Sequence, residues 1–212
     1  MQIFAVSPNL YERHSSYLKK MHRLRAAVFG ARLEWNVEII AGEERDQYDE
    51  LHPTYILAVT RAGSVVGCAR LLPATGPTML EWTFPQLLEN GSLPTRLAVV
   101  ESSRFCVDTS LAAGRGGGQL HLVTLTMFAA IIEWSAANGY TQLVTATDLR
   151  FERILKRAGW PMDRLGEPTA IGNTIAIAGS LPLDRASFER VRPATYHPLT
   201  SNGNAGWIGG GA

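Results

Sequence analysis

The stretch VVESSRFCVD (residues 99–108) has apolar residues at both ends and a carboxylate, two hydroxyls and a guanidinium between them. Its apolar ends predict a buried strand of a sheet. Moving a charge out of water is costly unless the charge is paired or used. Glu101 and Arg104 therefore need partners, and the nature of those partners decides what this strand does.

Alternation along a strand divides these side chains between the two faces of the sheet. It assigns Glu101, Ser103 and Phe105 to one face, and Ser102, Arg104 and Cys106 to the other. A β-bulge, which polar strand centres often carry, would change this assignment. With regular alternation, Glu101 and Arg104 cannot pair with each other simply, and each needs a partner from elsewhere in the chain.

Two other segments offer such partners. Arg70, in the run GCARLLP, is a candidate for one of the two charges, and Asp46 or Asp49 for the other. Two interpretations stay open at this point. The charges form a structural ion-pair network, or they line a site for a substrate that is itself zwitterionic, and both arrangements perturb pKa values.

Outward from this strand, hydrophobic periodicity predicts strands and helices in alternation. The predicted strands are residues 2–7, a hairpin over 54–73 with the turn RAGS, residues 142–148, and one or two strands within 169–183. The predicted helices are residues 9–30 with Gly30 as the stop, 120–140 and 149–160, with a short helix or turn at 79–88. This order predicts an α/β sandwich with a mixed sheet.

The composition indicates an ordinary globular protein. Of the 212 residues 46% are hydrophobic and 18% charged, and the net charge of +1 argues against a general attraction to nucleic acid. Cys68 and Cys106 lack C-x-x-C spacing and the five histidines lack ligand spacing, so we expect no metal site and a reducing, cytoplasmic location. No run approaches the roughly 20 apolar residues of a membrane span.

An acidic segment, ARLEWNVEIIAGEERDQYDELHP (residues 31–53), fits neither a helix nor a strand. A loop of this length inside a compact domain is typically a lid, a binding loop or disorder. We expect residues 25–52 to form a substrate-binding loop of one domain over residues 1–190. Residues 191–212, with a Gly-rich end, are expected to be a flexible extension.

Five stretches, in their order and separations, resemble the acyl-homoserine-lactone (autoinducer) synthases: MHRLRAAVFGARLEW, GEERDQYD, GCARLLP, TFPQLL and VESSRFCVD. All ten hallmark positions of that family match, at Arg25, Phe29, Trp35, Asp46, Asp49, Arg70, Phe84, Glu101, Ser103 and Arg104. The run LHLVTLTMFAAIIEWSAANGYTQLVTATDLRFERILKRAGW is also similar to the subgroup that regulates conjugal plasmid transfer. The resemblance lapses in the loop AAGRGGGQ and in the tail.

The resemblance implies a fold similar to that of the GCN5-related N-acetyltransferases, a three-layer α-β-α sandwich with a mixed, mostly antiparallel sheet. It implies two substrates, S-adenosyl-L-methionine and a fatty acyl chain on acyl-carrier protein, and no separate cofactor. The amine of S-adenosylmethionine attacks the acyl thioester. Its carboxylate then closes a lactone ring and expels methylthioadenosine, which yields a diffusible quorum-sensing signal.

The chemistry of S-adenosylmethionine suggests roles for the matching residues. Its sulfonium cannot donate a hydrogen bond and is best held by aromatic faces and carboxylates. The N-terminal segment supplies both, with Phe29, Trp35, Asp46 and Asp49. Alternatively, the two aromatic residues only anchor the loop in the core. Arg25 and Arg104 either pair with the substrate carboxylate or hold the two aspartates in place, and the resemblance also assigns Arg70 and Phe84 to substrate binding.

The attacking amine must lose a proton, and Glu101 is the best candidate for the general base, directly or through a water. Asp46 is a second candidate. Ser103 is expected to bind substrate or to help polarise the thioester carbonyl. It is not expected to be a nucleophile, because it has no neighbouring His and no G-x-S-x-G turn.

The acyl chain needs an apolar tunnel, with Phe84, Leu122, Met127 and Phe128 as candidate walls that are equally explained as core residues. Thr145 differs from them because a hydroxyl in a buried strand needs a partner. Family members with Thr at the matching position tend to use 3-oxo-acyl chains. We therefore expect a 3-oxo product of medium length.

An acidic acyl-carrier protein would dock on a basic surface. The run LRFERILKRAGW predicts such a helix face, formed by Arg150, Arg153 and Arg157 with Lys156 beside it. The alternative is a solvated helix face without a partner.

Two other functions remain candidates at this point. A coenzyme-A-dependent N-acetyltransferase of the same fold would use a Gly-rich loop before a helix, and LAAGRGGGQLH contains G-x-G. However, Leu111 stands where that family would have Gln or Arg. A non-catalytic S-adenosylmethionine sensor is the other candidate, although such a sensor would not need Glu101 or a thioester site.

Overall fold

The computed structural model of the chain describes residues 1–32, 37–109 and 122–199. Its strands are β1 (Gln2–Val6), β2 (Ile39–Ile40), β3 (Glu43–Glu44), β4 (Thr54–Val59), β5 (Val65–Pro73), β6 (Val99–Val107), β7 (Gln142–Asp148), β8 (Asp163–Arg164), β9 (Thr169–Ile171) and β10 (Thr174–Pro182). Its α-helices are α1 (Ser15–Arg25), α2 (Met79–Trp82), α3 (Leu122–Ala137), α4 (Leu149–Arg157) and α5 (Arg185–Val191). A π-helical segment covers Ala26–Arg32, and 3-10 turns cover Pro8–Leu10, Gln47–Leu51 and Pro85–Leu87.

One large sheet organises the molecule. Its strand order is β1-β4-β5-β6-β7-β10-β8, and β9 pairs with β10. All these pairs are antiparallel except β6 with β7, which are parallel. The short strands β2 and β3 form a separate hairpin. The predicted mixed, mostly antiparallel sheet is confirmed.

Helices cover both faces of this sheet. On one face α1 packs on β5 and β6, with Met21 in a core that includes Leu57 and Cys68. Helices α3, α4 and α5 cover the opposite face, where Phe128 and Leu155 belong to the largest hydrophobic cluster. The predicted three-layer sandwich is therefore confirmed.

The sheet opens between its two parallel strands. Their register runs from Val99 opposite Gln142 to Glu101 opposite Val144, whereas β6 continues to Val107 and β7 to Asp148. The two strands thus separate just past Glu101. This leaves the second half of β6, which carries most of the polar motif, at an opening in the sheet.

A bulge in β6 corrects the predicted alternation. Cys68 pairs with Cys106 but Arg70 pairs with Ser103, so Ala69 alone faces two residues of β6. Arg104 is one of these two, and its φ of 52° lies in the left-handed region. The bulge brings Arg104 to the same face of the sheet as Glu101 and Ser103. Regular alternation, which separated Arg104 and Cys106 from them and placed Phe105 with them, was wrong from this position onward.

The first helix also differs from the prediction of residues 9–30. It begins at Ser15 after a 3-10 turn, and it continues past Gly30 as a π-helical segment. Gly30 is therefore not a stop. A Cβ atom there would lie 2.5 Å from Cδ1 of Ile39, so glycine permits a close approach between this helix and the β2–β3 hairpin.

The C-terminal part of the described chain packs against α3. The carboxylate of Glu133 accepts hydrogen bonds from the hydroxyl of Tyr196 at 2.6 Å and from the amide of Leu199 at 2.9 Å. The boundary at residue 190 stays a prediction.

Candidate active site

Among the described residues, six charged side chains meet on the α1 face of the sheet. They come from α1, the β2–β3 hairpin, the following 3-10 turn, β5 and β6, and they are Arg25, Glu44, Asp46, Asp49, Arg70 and Arg104. The side chains of Arg25, Glu44 and Arg70 are fully buried. Three cations and three anions balance formally, and we call this set the charge cluster.

Arg25, the last residue of α1, holds the acidic segment. Its two terminal nitrogens donate to the two oxygens of Asp49 at 2.8 and 2.9 Å, which is the paired geometry that a guanidinium favours. Its Nε donates to Glu44. Of the two roles considered for Arg25, the contacts correspond to the one that holds a carboxylate of the loop in place.

Arg70 connects this segment to the sheet. Its guanidinium donates to Asp46, to Oδ1 of Asp49 at 3.0 Å and to the hydroxyl of Ser103 at 3.0 Å. Because Arg70 is fully buried, each of these charge-assisted bonds is shielded from water.

Arg104 reaches the same carboxylates from the bulge of β6. Its Nε donates to Glu44 at 2.9 Å, a terminal nitrogen lies 2.7 Å from Asp46, and its guanidinium carbon lies 5.7 Å from the ring centroid of Phe29. Asp46 was one of the partners expected from the sequence. Glu44 was not singled out, although it bridges Arg25 and Arg104.

Hydrogen bonds within the 3-10 turn hold Asp46 and Asp49 in place. Asp46 caps the 3-10 turn by accepting from the amide of Tyr48 at 2.9 Å, and Asp49 accepts from the amide of Asp46 at 3.0 Å. This reciprocal capping box fixes both carboxylates relative to the backbone. Tyr55, on β4, adds a hydrogen bond from its hydroxyl to Asp49 at 2.7 Å.

The surroundings keep Asp49 ionised. Burial alone would raise its pKa, but the hydrogen bonds and charge of Arg25, together with the charge of Arg70 and the hydroxyl of Tyr55, hold the pKa of Asp49 well below its usual value. His22 nearby is buried beside Arg25, and both effects lower its pKa. The ring of His22 is therefore neutral at pH 7, and its Nδ1 donates to the backbone carbonyl of Glu44 at 2.9 Å.

Glu101 has a different environment from the three carboxylates of the cluster. Its oxygens accept hydrogen bonds from the amides of Met79 at 2.9 Å and Leu80 at 2.6 Å, at the start of α2. Burial raises the pKa of Glu101, although these two amides and the charge of Arg70 lower it in part. Its hydrogen-bond partners are thus backbone amides rather than the arginine that the sequence suggested.

A small apolar cavity lies on the opposite face of β6. It encloses about 20 Å³ and is lined by Ser102, Phe105, Phe128, Ile131, Leu143, Thr145, Phe151, Leu155, Trp160 and Leu181. The structure thus brings together Phe128 and Thr145 of the residues considered for the acyl tunnel. Phe84 packs against a separate cluster around Leu80, Met127 lies in the main core, and Leu122 is exposed.

The basic residues of α4 face outward. Arg150, Arg153, Lys156 and Arg157 are exposed, whereas Leu155 anchors the helix in the core. Glu152 on the same helix forms a paired salt bridge with Arg164.

Four features named from the sequence lie outside the described residues. They are Trp35, Leu111, the loop AAGRGGGQ and the Gly-rich end of the predicted extension, from residue 200 onward. Within the described ranges, the histidines, cysteines and acidic residues form no group that could hold a metal ion. In the same ranges, no helix is long and apolar enough to cross a membrane.

Comparison with known structures defines the class of protein. The structure of a CoA-dependent acyl-homoserine lactone synthase, BjaI, with SAM and isopentyl-CoA superimposes with a TM-score of 0.80, at 26% identity over 90% of this chain and 87% of that one. A putative N-acetyltransferase from Lactobacillus plantarum superimposes with a TM-score of 0.54 at 17% identity, over 86% of this chain and 99% of that one. The fold is that of the GCN5-related N-acetyltransferases, as the resemblance implied.

Sequence comparison then gives the family. The autoinducer synthase profile matches residues 9–191, and an acyl-homoserine-lactone synthase of Agrobacterium fabrum is 71% identical over 94% of each chain. The chain belongs to the autoinducer synthase family. It is thus an acyltransferase that makes an acyl-homoserine lactone for quorum sensing, and the two other candidate functions are set aside.

Proposed function

We propose that the enzyme joins S-adenosyl-L-methionine to an acyl chain carried by acyl-carrier protein, with the two substrates on opposite faces of β6. The observation that carries this proposal is the charge cluster on one face and the apolar cavity on the other. A substrate with an ammonium, a carboxylate and a sulfonium fits the first, and a hydrocarbon chain fits the second. The opening between β6 and β7 allows the two to meet.

The reaction has two steps. The amine nitrogen of S-adenosylmethionine attacks the thioester carbonyl, its proton goes to a base, and the carrier thiolate leaves. The substrate carboxylate then attacks the carbon bonded to the sulfonium, and methylthioadenosine leaves with the electron pair of the broken C–S bond.

We assign the base to Glu101, directly or through a water. A raised pKa makes it a better proton acceptor than an ordinary carboxylate. Two backbone amides orient it, and its two oxygens retain further lone pairs. Asp46, the alternative, already binds the guanidinium groups of both Arg70 and Arg104.

The other cluster residues take binding and positioning roles. Arg104, with 9% of its side chain exposed, is better placed to meet the substrate carboxylate than the fully buried Arg25. Asp46 and Asp49 supply negative potential for the sulfonium and ammonium groups, and Phe29 lies beside Arg104. Ser103, held by Arg70, is assigned to the thioester carbonyl. Substrate roles for Trp35 and Phe84 rest on the resemblance alone.

We infer that the acyl chain enters the cavity beside Thr145 and that the preferred chain is a 3-oxo chain of medium length. The hydroxyl of Thr145 donates only a 3.3 Å bond to the carbonyl of the adjacent Ala146, so it can turn to a substrate oxygen. A volume of about 20 Å³ holds little more than a water molecule. Phe105, Phe128 and Phe151, whose ring centroids lie 4.9–5.8 Å apart, must therefore shift to admit the chain.

Acyl-carrier protein is the proposed donor because the exposed face of α4 is basic, at Arg150, Arg153, Lys156 and Arg157. The CoA-dependent relative makes acyl-CoA the competing donor. We also propose a cytoplasmic location, where thiols stay reduced, since the buried Sγ atoms of Cys68 and Cys106 share a hydrogen bond at 3.3 Å and form no disulfide.

The experiment compares products from S-adenosylmethionine with acyl-carrier-protein thioesters or with the matching acyl-CoA. Mass spectrometry of the extracted lactone and of methylthioadenosine reads out the reaction. Higher kcat/KM with the carrier-protein thioester, and 3-oxo lactone as the main product, would support the proposal. Preference for acyl-CoA would overturn the donor, and turnover without methylthioadenosine would overturn the substrate assignment.

A further inference from the structure

Residues 78–84, in the segment that follows β5, lie against the charge cluster. Met79 begins α2, and its Sδ lies 3.3 Å from a terminal nitrogen of Arg104 and 3.7 Å from one of Arg70. The amides of Met79 and Leu80 hold Glu101. Through Met79 and Leu80, residues 78–84 therefore contact both sheet arginines and the candidate base.

Among the described residues, a side-chain hydrogen bond also joins residues 78–84 to the acidic turn. The hydroxyl of Tyr48 lies 2.7 Å from that of Thr83, the C-cap residue of α2. Tyr48 lies between Asp46 and Asp49 in the chain, and its amide is capped by Asp46. This hydrogen bond connects the backbone around the two aspartates to the backbone that holds Glu101.

The geometry of Tyr48 indicates a role beyond filling space. The residue is 2% exposed, and the guanidinium of Arg70 lies 5.4 Å from its ring centroid, within the range of a cation–π contact. Its ring packs against the cluster while its hydroxyl reaches outward to Thr83, which is exposed. The ring and the hydroxyl can therefore be tested separately.

We propose that Tyr48 and Thr83 form a clasp that positions the acidic turn against α2, and that this clasp sets the affinity for S-adenosylmethionine. This inference rests on the proposed location of that substrate at the charge cluster. The clasp lies on the α1 face of the sheet, whereas the cavity proposed for the acyl chain lies on the opposite face. Loss of the clasp should therefore affect one substrate and not the other.

The test uses the full chain with Tyr48→Phe, Thr83→Val and the double variant, each of which keeps the ring or the branched shape. Each single variant should raise the KM for S-adenosylmethionine about fivefold, the effect of one lost hydrogen bond. The double variant should show the same rise as either single one, because both remove the same bond. The KM for the acyl donor should not change.

Two matched controls separate positioning from stability. Thr83→Ser keeps the hydroxyl and should retain the wild-type KM. Tyr196→Phe removes a comparable buried hydroxyl, the one bound to Glu133. It should lower the melting temperature without changing the KM for S-adenosylmethionine.

Three results would overturn the clasp. They are an unchanged KM for S-adenosylmethionine in the single variants, effects that multiply in the double variant, and a uniform loss of kcat that follows the melting temperature. Failure of the proposed function gives a different result, because the wild-type chain itself would then make no lactone from S-adenosylmethionine.

Discussion

Glu44 and Arg104 are joined across the fold by a 2.9 Å hydrogen bond from Nε of Arg104 to Oε1 of Glu44. The other oxygen of Glu44 accepts from Arg25, so one fully buried carboxylate lies between two guanidinium groups. It links the β2–β3 hairpin both to α1 and to the bulge of β6. The charge balance of the site therefore depends on Glu44 as well as on Asp46 and Asp49.

Glu44→Gln should destabilise the protein and abolish most activity. The variant keeps the size of the side chain but leaves two buried cations with one anion fewer, and breaking a buried pair costs about 3–5 kcal/mol. Urea unfolding monitored by circular dichroism measures the loss. The matched control is Glu43→Gln at the adjacent position, whose side chain is 18% exposed and pairs with exposed Arg45. Equal stability of the two variants would contradict the role of Glu44.

Much of this site could be predicted from the sequence, because charges in a strand require partners. Asp46, Asp49 and Arg70 were proposed as partners, and all three meet in the cluster together with Arg104. The mixed sheet was also predictable, since apolar runs alternate with amphipathic helices.

The remainder depends on geometry that residue types do not encode. A left-handed residue is usually Gly or Asn, so nothing marks Arg104 as a bulge. Glu43 and Glu44 are identical in type, and only the pairing of β2 with β3 turns one outward and buries the other. The partners of Glu101 are backbone amides, which carry no sequence signal.

Glu101→Gln should fold but lose activity by about 10²- to 10⁴-fold, the usual contribution of a general base. In the wild type, the rate should fall as the pH drops through the raised pKa of Glu101. The kcat profile at saturating S-adenosylmethionine measures this fall. Asp46→Asn is the comparison. If kcat no longer falls at low pH in Asp46→Asn but still falls in Glu101→Gln, the base is Asp46.

Asp49 should make the free energy of unfolding decrease as the pH falls below about 5. Its pKa is 3.8 when unfolded and lower when folded, so its contribution is complete above about pH 5 and is lost as pH falls through the lowered value. Asp49→Asn should be less stable at pH 7 and show a flatter pH dependence below pH 5 in urea unfolding. Tyr55→Phe, which removes one hydrogen bond to Asp49, should show a smaller change of the same sign. Exposed Glu50→Gln should keep the wild-type slope, and a wild-type slope in Asp49→Asn would contradict the prediction.

Thr145→Ala should shift the product from 3-oxo to unsubstituted lactones of the same length. The hydroxyl of Thr145 is the group proposed to bind the oxygen at the third carbon of the chain. In the variant, that carbonyl would lie in an apolar cavity without a hydrogen-bond partner, which is unfavourable. Mass spectrometry of lactones formed from equal mixtures of both thioesters gives the ratio. Thr141→Ala, exposed and outside the cavity lining, is the control, and an unchanged ratio in Thr145→Ala would rule out this role.

Charge reversal on α4 should distinguish the two acyl donors. In Arg150→Glu/Arg153→Glu/Lys156→Glu, the KM for an acidic carrier-protein thioester should rise roughly tenfold or more, because like charges then face each other. The KM for acyl-CoA should change less, and added salt should weaken wild-type use of the carrier protein more than use of a small acyl thioester. The matched control for net charge is Arg13→Glu/Lys19→Glu/Arg61→Glu, which reverses three exposed basic residues outside α4. The helix should stay in place in this variant, because Leu155, which anchors it in the core, is unchanged. Unaltered kinetics with the carrier-protein thioester would therefore show that docking occurs on another surface.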